Sequence, residues 1–231
     1  MKSTRQARSP YVAMRDALRS GVLVDDRTFD GVYPFAVRLA SPMHWTPVQA
    51  AVRASKLLAV RPGARILDVG SGVGKFCIVA AASVDARVAG VEQRGHLVDV
   101  GRRAAREFGV DVAFTKGTLE VIDPLDVDGV YLFNPFAENI CSPDDRIDGS
   151  VELSEARFVR DILAVQRFLR AARVGTRVVT YCGLGGAVPN GYVRHLAEPC
   201  AGRIELWVKT RASVPVEAEE LFADVAEGGA P

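Results

Sequence analysis

Apolar positions along the chain repeat with two periods. Short apolar runs predict strands over Ala64–Val69, Ala86–Val91, Asp111–Phe114, Gly129–Phe133 and Thr176–Tyr181. Amphipathic or small-residue stretches separate them. Lys75–Val84 reads as a small-residue helix. Over His96–Phe108, Leu97, Gly101, Ala104, Ala105 and Phe108 fall on one helical face. Glu152–Arg173 predicts the longest helix, with Phe158, Ile162, Val165 and Leu169 on one stripe. Upstream, Tyr11–Arg19 predicts a short helix after Pro10, and Gly21–Ala40 has no assignable pattern. Thr46-Pro47 opens a further helix, Thr serving as N-cap and Pro in the first turn. Val48, Ala51, Val52, Ser55 and Leu58 share its face, and Arg61-Pro62-Gly63 ends it. Downstream, Tyr192–Ala197 and Arg203–Thr210 predict two antiparallel edge strands.

Strand–helix alternation with short connections implies a parallel sheet covered on both faces. Right-handed crossovers then make the sheet doubly wound. The expected fold is α/β: a mostly parallel seven-stranded sheet with an antiparallel edge, helices on both faces and a short N-terminal helical extension. The expected divisions are an extension or helical cap over 1–45, one catalytic-size domain over 46–212 and an acidic tail over 213–231.

Composition changes this picture little. The chain has 231 residues, 48% apolar and 25% charged, which suits one sizeable core. Net charge is +1, so global charge gives no argument for nucleic-acid binding. The longest stretch free of Asp, Glu, Lys and Arg, Val178–Val193, holds four Gly, a Pro and an Asn, and does not read as a membrane span. No apolar signal core follows the basic N-terminus. Cys77, Cys141, Cys182 and Cys200 lie far apart with no Cys-x-x-Cys pair. That pattern suits reduced thiols in a cytoplasm and no metal site.

Chemistry concentrates in Ile66-Leu-Asp-Val-Gly-Ser-Gly-Val-Gly-Lys-Phe76. A buried strand runs into Gly70-x-Gly72-x-Gly74 and then a helix. Glycines there let the backbone turn tightly and approach a ligand. The spacing is one residue tighter than a dinucleotide fingerprint. Asp68, two residues before the first glycine, disfavours a pyrophosphate and suits a cationic amino-acid end. Glu92 ends the second strand, where a carboxylate accepts hydrogen bonds from both ribose hydroxyls.

Leu67-Asp-Val-Gly-Ser-Gly-Val-Gly74 followed by Glu92 resembles the glycine-rich first motif and ribose-binding acid of class I S-adenosylmethionine-dependent methyltransferases. The resemblance spans roughly residues 45–210. It implies S-adenosylmethionine as cofactor, with Asp68, Gly70, Ser71 and Gly72 beside its methionine end and Glu92 on the ribose. It places Gln93 near the adenine, with Gly117, Thr118 and Leu119 of Lys116-Gly-Thr-Leu119 where the family makes an adenine contact. Thr118 stands where the family often has Asp, so the Thr118 hydroxyl or the Leu119 N–H is the expected partner. Thr46, in a Thr-Pro at a helix start, is similar to a family position that holds the methionine carboxylate, and a helix N-terminus suits an anion.

At the end of the fourth strand, Asn134-Pro135-Phe136 resembles the Asn-Pro-Pro-Phe motif of amino-methyltransferases, with one proline fewer. By that resemblance Asn134 meets both cofactor and acceptor. The Asn134 and Pro135 carbonyls accept N–H bonds from an amino group, and Phe136 stacks on a flat acceptor. The Gly-Ser-Gly-Val-Gly loop, Gly90-Val-Glu92 and Asn134-x-Phe136 are also similar to non-SET lysine methyltransferases, although the large N-terminal domain of the histone enzymes is absent. The resulting expectation is in-line methyl transfer to an amino nitrogen of a protein lysine or small-molecule amine. A general base is needed only for a protonated acceptor. Glu138 and Asn139 are candidate acceptor contacts. His44 and Trp45 are candidate pocket residues, and Asp144, Asp145, Asp148 and Tyr181 are weak candidates for the base. The alternatives are a catalytically silent cofactor-binding regulator, a nucleic-acid N-methyltransferase using arginines of the two long helices, or a nicotinamide oxidoreductase. The sequence carries no signal of oligomeric state.

Overall fold

The computed structural model describes residues 9–214. The acidic tail read over 213–231 and the first eight residues of the basic N-terminus therefore lie largely outside the described residues. In chain order the elements begin with α1 (Pro10–Arg19), α2 (Asp26–Phe29), a 3-10 turn, α3 (Phe35–His44) and α4 (Val48–Leu58). The central part alternates: β1 (Ala64–Val69), α5 (Lys75–Ser83), β2 (Ala86–Glu92), α6 (Gly95–Phe108), β3 (Val112–Lys116) and β4 (Gly129–Phe133). It closes with α7 (Glu155–Ala171), β5 (Arg177–Tyr181), β6 (Tyr192–Pro199) and β7 (Arg203–Lys209).

The seven strands form one sheet in the order β3-β2-β1-β4-β5-β7-β6. The five from β1 to β5 are parallel, and β7 runs antiparallel to both β5 and β6. The order reverses between β1 and the β4 side, so the carboxyl ends of β1 and β4 flank the switch point where ligands bind in such sheets. Alternation along β1 separates two cores. Ile66 packs with residues of α4, α5 and α6, whereas Leu67 and Val69 pack with Val165, Phe168 and Leu169 of α7. The sheet is thus covered on both faces.

Three sequence expectations change. The unassigned Gly21–Ala40 contains α2 and the start of α3, and it packs into the core. Leu18, Phe29 and Tyr33 are buried in the same core as β1 and α5. Helix α4 starts at Val48, not Thr46, and Thr46 is not its cap. Asp26 Oδ1 accepts the Val48 N–H at 2.9 Å instead. Helix α7 starts at Glu155, because Ser154 Oγ accepts the Arg157 N–H at 3.2 Å and caps it. Its other end is closed by buried Lys209, whose Nζ donates to the carbonyls of Leu169, Arg170 and Ala172. A cation there meets carbonyls left without helical partners.

Candidate active site

Strand β1 delivers Asp68 and the glycine bend to the switch point. Asp68 is buried, and its one hydrogen-bond partner among the described residues is the Cys77 thiol, 3.3 Å from Oδ2. Burial pushes the carboxyl up to about 7. Gly70 and Gly72 have φ of +72° and +53°, a region that side chains disfavour. A Cβ on Gly70 would come within 3.1 Å of Pro135, and one on Gly72 within 2.5 Å of the Trp45 ring. These glycines therefore admit protein neighbours as well as a ligand. Trp45 is fixed over the bend by Nε1 donating to the Val37 carbonyl at 2.9 Å.

Strand β2 ends in Glu92, which is buried. Its carboxylate accepts the Gly72 N–H at 3.1 Å and the Arg94 N–H at 2.8 Å. Burial raises its pKa, and those two N–H groups oppose the shift. One carboxylate thus staples the glycine bend to the end of β2 and keeps further lone pairs for a ligand. Next to it Gln93 Oε1 accepts from Arg157 of α7. Gly117, Thr118 and Leu119 follow β3, and the Gly117 N–H donates to the Glu92 carbonyl.

Strand β4 ends in Asn134, held at φ 32°. Its N–H donates to the Gly183 carbonyl, and its own carbonyl accepts from Ala137. Its side-chain amide has no hydrogen-bond partner among the described residues. Beneath the motif, Tyr131 stacks on Phe76 with ring centroids 3.8 Å apart. The Tyr131 hydroxyl shares a 3.0 Å hydrogen bond with Thr46 Oγ1. Thr46 is thus positioned by a strand residue, not by a helix N-terminus.

One cleft of about 580 Å³ gathers these residues. It is lined by every residue predicted for the cofactor and for the Asn134 motif: Thr46, Asp68, Gly70, Ser71, Gly72, Glu92, Gln93, Gly117, Thr118, Leu119, Asn134, Pro135 and Phe136. His44, Trp45, Glu138, Asn139 and Asp145 line it too, whereas Tyr181, Asp144 and Asp148 do not. The Tyr181 hydroxyl donates to the Ala201 carbonyl, and burial lifts its pKa to about 12, which unsuits it as a base.

Two charged frames escaped the sequence reading. Lys75, buried at the start of α5, pairs with Asp26 at 2.7 Å and Asp30 at 2.8 Å and donates to Ser41 Oγ. It ties the N-terminal helices to the glycine bend. Its signal was a lone charge opening an otherwise apolar helix. Buried Arg94 pairs with Glu138 at 2.9 Å and Asp148 at 3.1 Å. It orders the segment after Asn134-Pro135-Phe136, where Glu138 also accepts the Ile147 N–H.

A methyltransferase-domain family profile matches residues 66–153. An RNA methyltransferase from Salinibacter ruber, solved with S-adenosyl-L-homocysteine, is 25% identical, with a TM-score of 0.53 over 74% of this chain and 97% of that one. The chain has the class I S-adenosylmethionine-dependent methyltransferase fold. TrmN from Thermus thermophilus shares the fold at 20% identity and a TM-score of 0.56, over 74% of this chain and 51% of that one. No curated protein sequence matches.

The cleft of this methyltransferase fits its cofactor on its own terms. Asp68 is a buried carboxylate that meets no side-chain cation among the described residues, while buried Glu92 has two N–H donors and the Arg94 charge nearby. Buried carboxylates without a partner are costly. A ligand carrying an ammonium and vicinal hydroxyls supplies the missing partners.

Proposed function

We propose that this methyltransferase acts on an amino nitrogen, with a small-molecule amine or protein lysine as acceptor. S-adenosylmethionine supplies a methyl group on a sulfonium, a leaving group already activated. The chain's part is then placement. Asp68 would hold the ammonium and Thr46 the carboxylate of the methionine end. Glu92 would hold the ribose hydroxyls. Gln93 and Gly117–Leu119 would bound the adenine. Holding both partners in line accounts for roughly 7–11 kcal/mol of barrier reduction in well-oriented systems.

The observation that carries the acceptor class is the end of β4. Asn134 keeps an uncommitted amide in a strained backbone conformation, and Pro135 packs on Gly70 of the cofactor bend. A side-chain carbonyl so placed accepts an N–H and turns the nitrogen lone pair toward the methyl. Mass spectrometry of amines and protein incubated with methyl-labelled cofactor tests this. Asn134→Ala should lower turnover about 100-fold, as a misplaced reacting atom does, with cofactor affinity nearly unchanged. Unaltered turnover, or label only on oxygen, would remove the proposal.

A nucleic-acid amino group is the second reading. The 25% identical RNA methyltransferase favours it. Against it, Arg102, Arg157 and Arg173 of the long helices and their flanks are paired with Asp99, Asp161 and Asp128. A cofactor-binding regulator without turnover is what the same incubation would show if no label moved. Four unpaired cysteines support a reducing, cytoplasmic location, and no helix among the described residues is long and apolar enough to cross a membrane.

A further inference from the structure

The cleft is lined by two polar residues that the placement of the cofactor leaves unused. Asn139 is buried, and its Nδ2 donates to the Phe136 carbonyl at 3.2 Å. That bond fixes the amide, and Oδ1 is buried with no hydrogen-bond partner. An unmatched buried acceptor is costly and calls for a donor. His44, the last residue of α3, lines the same cleft. Its ring nitrogens make no hydrogen bond among the described residues. It sits against Trp45, centroids 5.9 Å apart, and Trp45 covers Gly72. The charged groups that reach His44 are Glu138 and Asp145 from the segment after β4, and Arg94 before α6. Arg94 is committed to Glu138 and Asp148, while Asp145 forms no ion pair among the described residues.

We infer that Asn139 and His44 make the cleft a site for an aliphatic ammonium, with Asn139 Oδ1 accepting one N–H and the His44 imidazole removing the proton that blocks attack. The inference rests on the amino-nitrogen reading and narrows it to alkyl amines. The chemistry requires such a group. An alkyl amine with a pKa near that of lysine, about 10.4, is almost wholly protonated at neutral pH and has no free lone pair. The exocyclic amine of a base is already neutral and needs no such proton acceptor. Burial holds His44 below its ordinary value, so it is neutral and ready to accept at pH 7. In the balanced step one N–H proton of the ammonium passes to a His44 ring nitrogen. The freed pair forms the nitrogen–carbon bond as the carbon–sulfur pair leaves with sulfur. The product is a methylated ammonium and a neutral thioether, and His44 returns its proton to water.

The test uses the full chain, with n-butylamine, spermidine and Nα-acetyllysine as alkyl probes and a single-stranded RNA holding adenine and cytosine as the planar one. Label should move to the alkyl probes. The wild-type rate should be flat from near pH 7 to 9 and fall below the His44 pKa. His44→Gln should lose about 100-fold at pH 7, with KM little changed, and regain rate steadily toward pH 10, where the amine deprotonates itself. Asn139→Leu should raise KM for the alkyl probes. Independently of turnover, the chain has three histidines, so the His44 resonance can be assigned by its loss in His44→Gln. In the S-adenosylhomocysteine complex that resonance should shift saturably as n-butylammonium is added. A wild-type pH profile in His44→Gln, or no shift of the resonance, overturns the inference. If Asn134→Ala still abolishes transfer, the amino-nitrogen reading survives that result. Label on the RNA bases alone removes the alkyl assignment, and label on oxygen removes both.

Discussion

Replacing Asp68 with asparagine removes a buried carboxylate and keeps its shape. The amide oxygen can still accept the Cys77 S–H, and the amide nitrogen can face the cleft. In the native protein the Asp68 carboxyl titrates near 7 because burial opposes its charge, against 3.8 for the free group. The difference, roughly 3 pH units at 1.36 kcal/mol each, is about 4 kcal/mol. Below pH 3.8 folded and unfolded chains are both protonated at this site, and the residue costs nothing. Between pH 3.8 and 7 the unfolded chain ionises while the folded chain holds its proton, so stability falls with rising pH. Above 7 the loss is complete and constant. Urea unfolding without cofactor from pH 4 to 8.5 should therefore find Asp68→Asn close to wild type at the acid end and about 4 kcal/mol more stable at pH 8. Cofactor should reverse the ranking, because its ammonium pairs with the carboxylate and has nothing comparable to gain from the amide. Wild-type binding at pH 7 should release part of a proton, and affinity should weaken below pH 7. A stability difference independent of pH, or a variant less stable at pH 8, would refute the argument that Asp68 is an uncompensated buried charge.

Other substitutions test the frames around the cleft. Lys75→Met strands Asp30 without its buried cation, and breaking such a pair costs about 3–5 kcal/mol; thermal unfolding should show it, and Trp45 fluorescence should report loosening of α3. Glu92→Gln weakens acceptance from the Gly72 N–H and from ribose hydroxyls, so calorimetry should show cofactor affinity down about 10–100-fold, the scale of one charged hydrogen bond. An unchanged Kd would separate Glu92 from the ribose. Gly72→Ala drives a Cβ into Trp45 and should impair both folding and binding.

The parallel core was legible because β1, β4 and β5 are buried on both faces and bounded by turn residues. Ala64–Val69 and Gly129–Phe133 fall where their apolar runs fall, and the cofactor side was readable because Gly70, Gly72 and Glu92 lie within one β-α-β unit. What escaped reading depends on distant partners. Thr46-Pro47 looked like a cap because local pattern cannot show Tyr131 claiming the threonine hydroxyl or Asp26 claiming the Val48 N–H. Gly21–Ala40 was opaque because its helices are short and are held by Lys75, Phe29 and Tyr33 contacts far away in sequence.

That division explains why the cofactor side could be specified and the acceptor only by class. Asp68, Gly72 and Glu92 sit on β1, β2 and the turn between them, whose geometry the sheet itself dictates. His44, Asn139 and Asp145 come from α3 and from the irregular segment after β4. Their approach to each other depends on two ion clusters, Lys75 with Asp26 and Asp30, and Arg94 with Glu138 and Asp148. The first cluster holds the helix that ends at His44, and the second holds the segment that carries Asn139. Weakening either one should therefore disturb acceptor handling more than cofactor binding. Arg94→Met in particular should raise KM for an alkyl amine while the Glu92 contacts, which use the Arg94 backbone and not its side chain, persist.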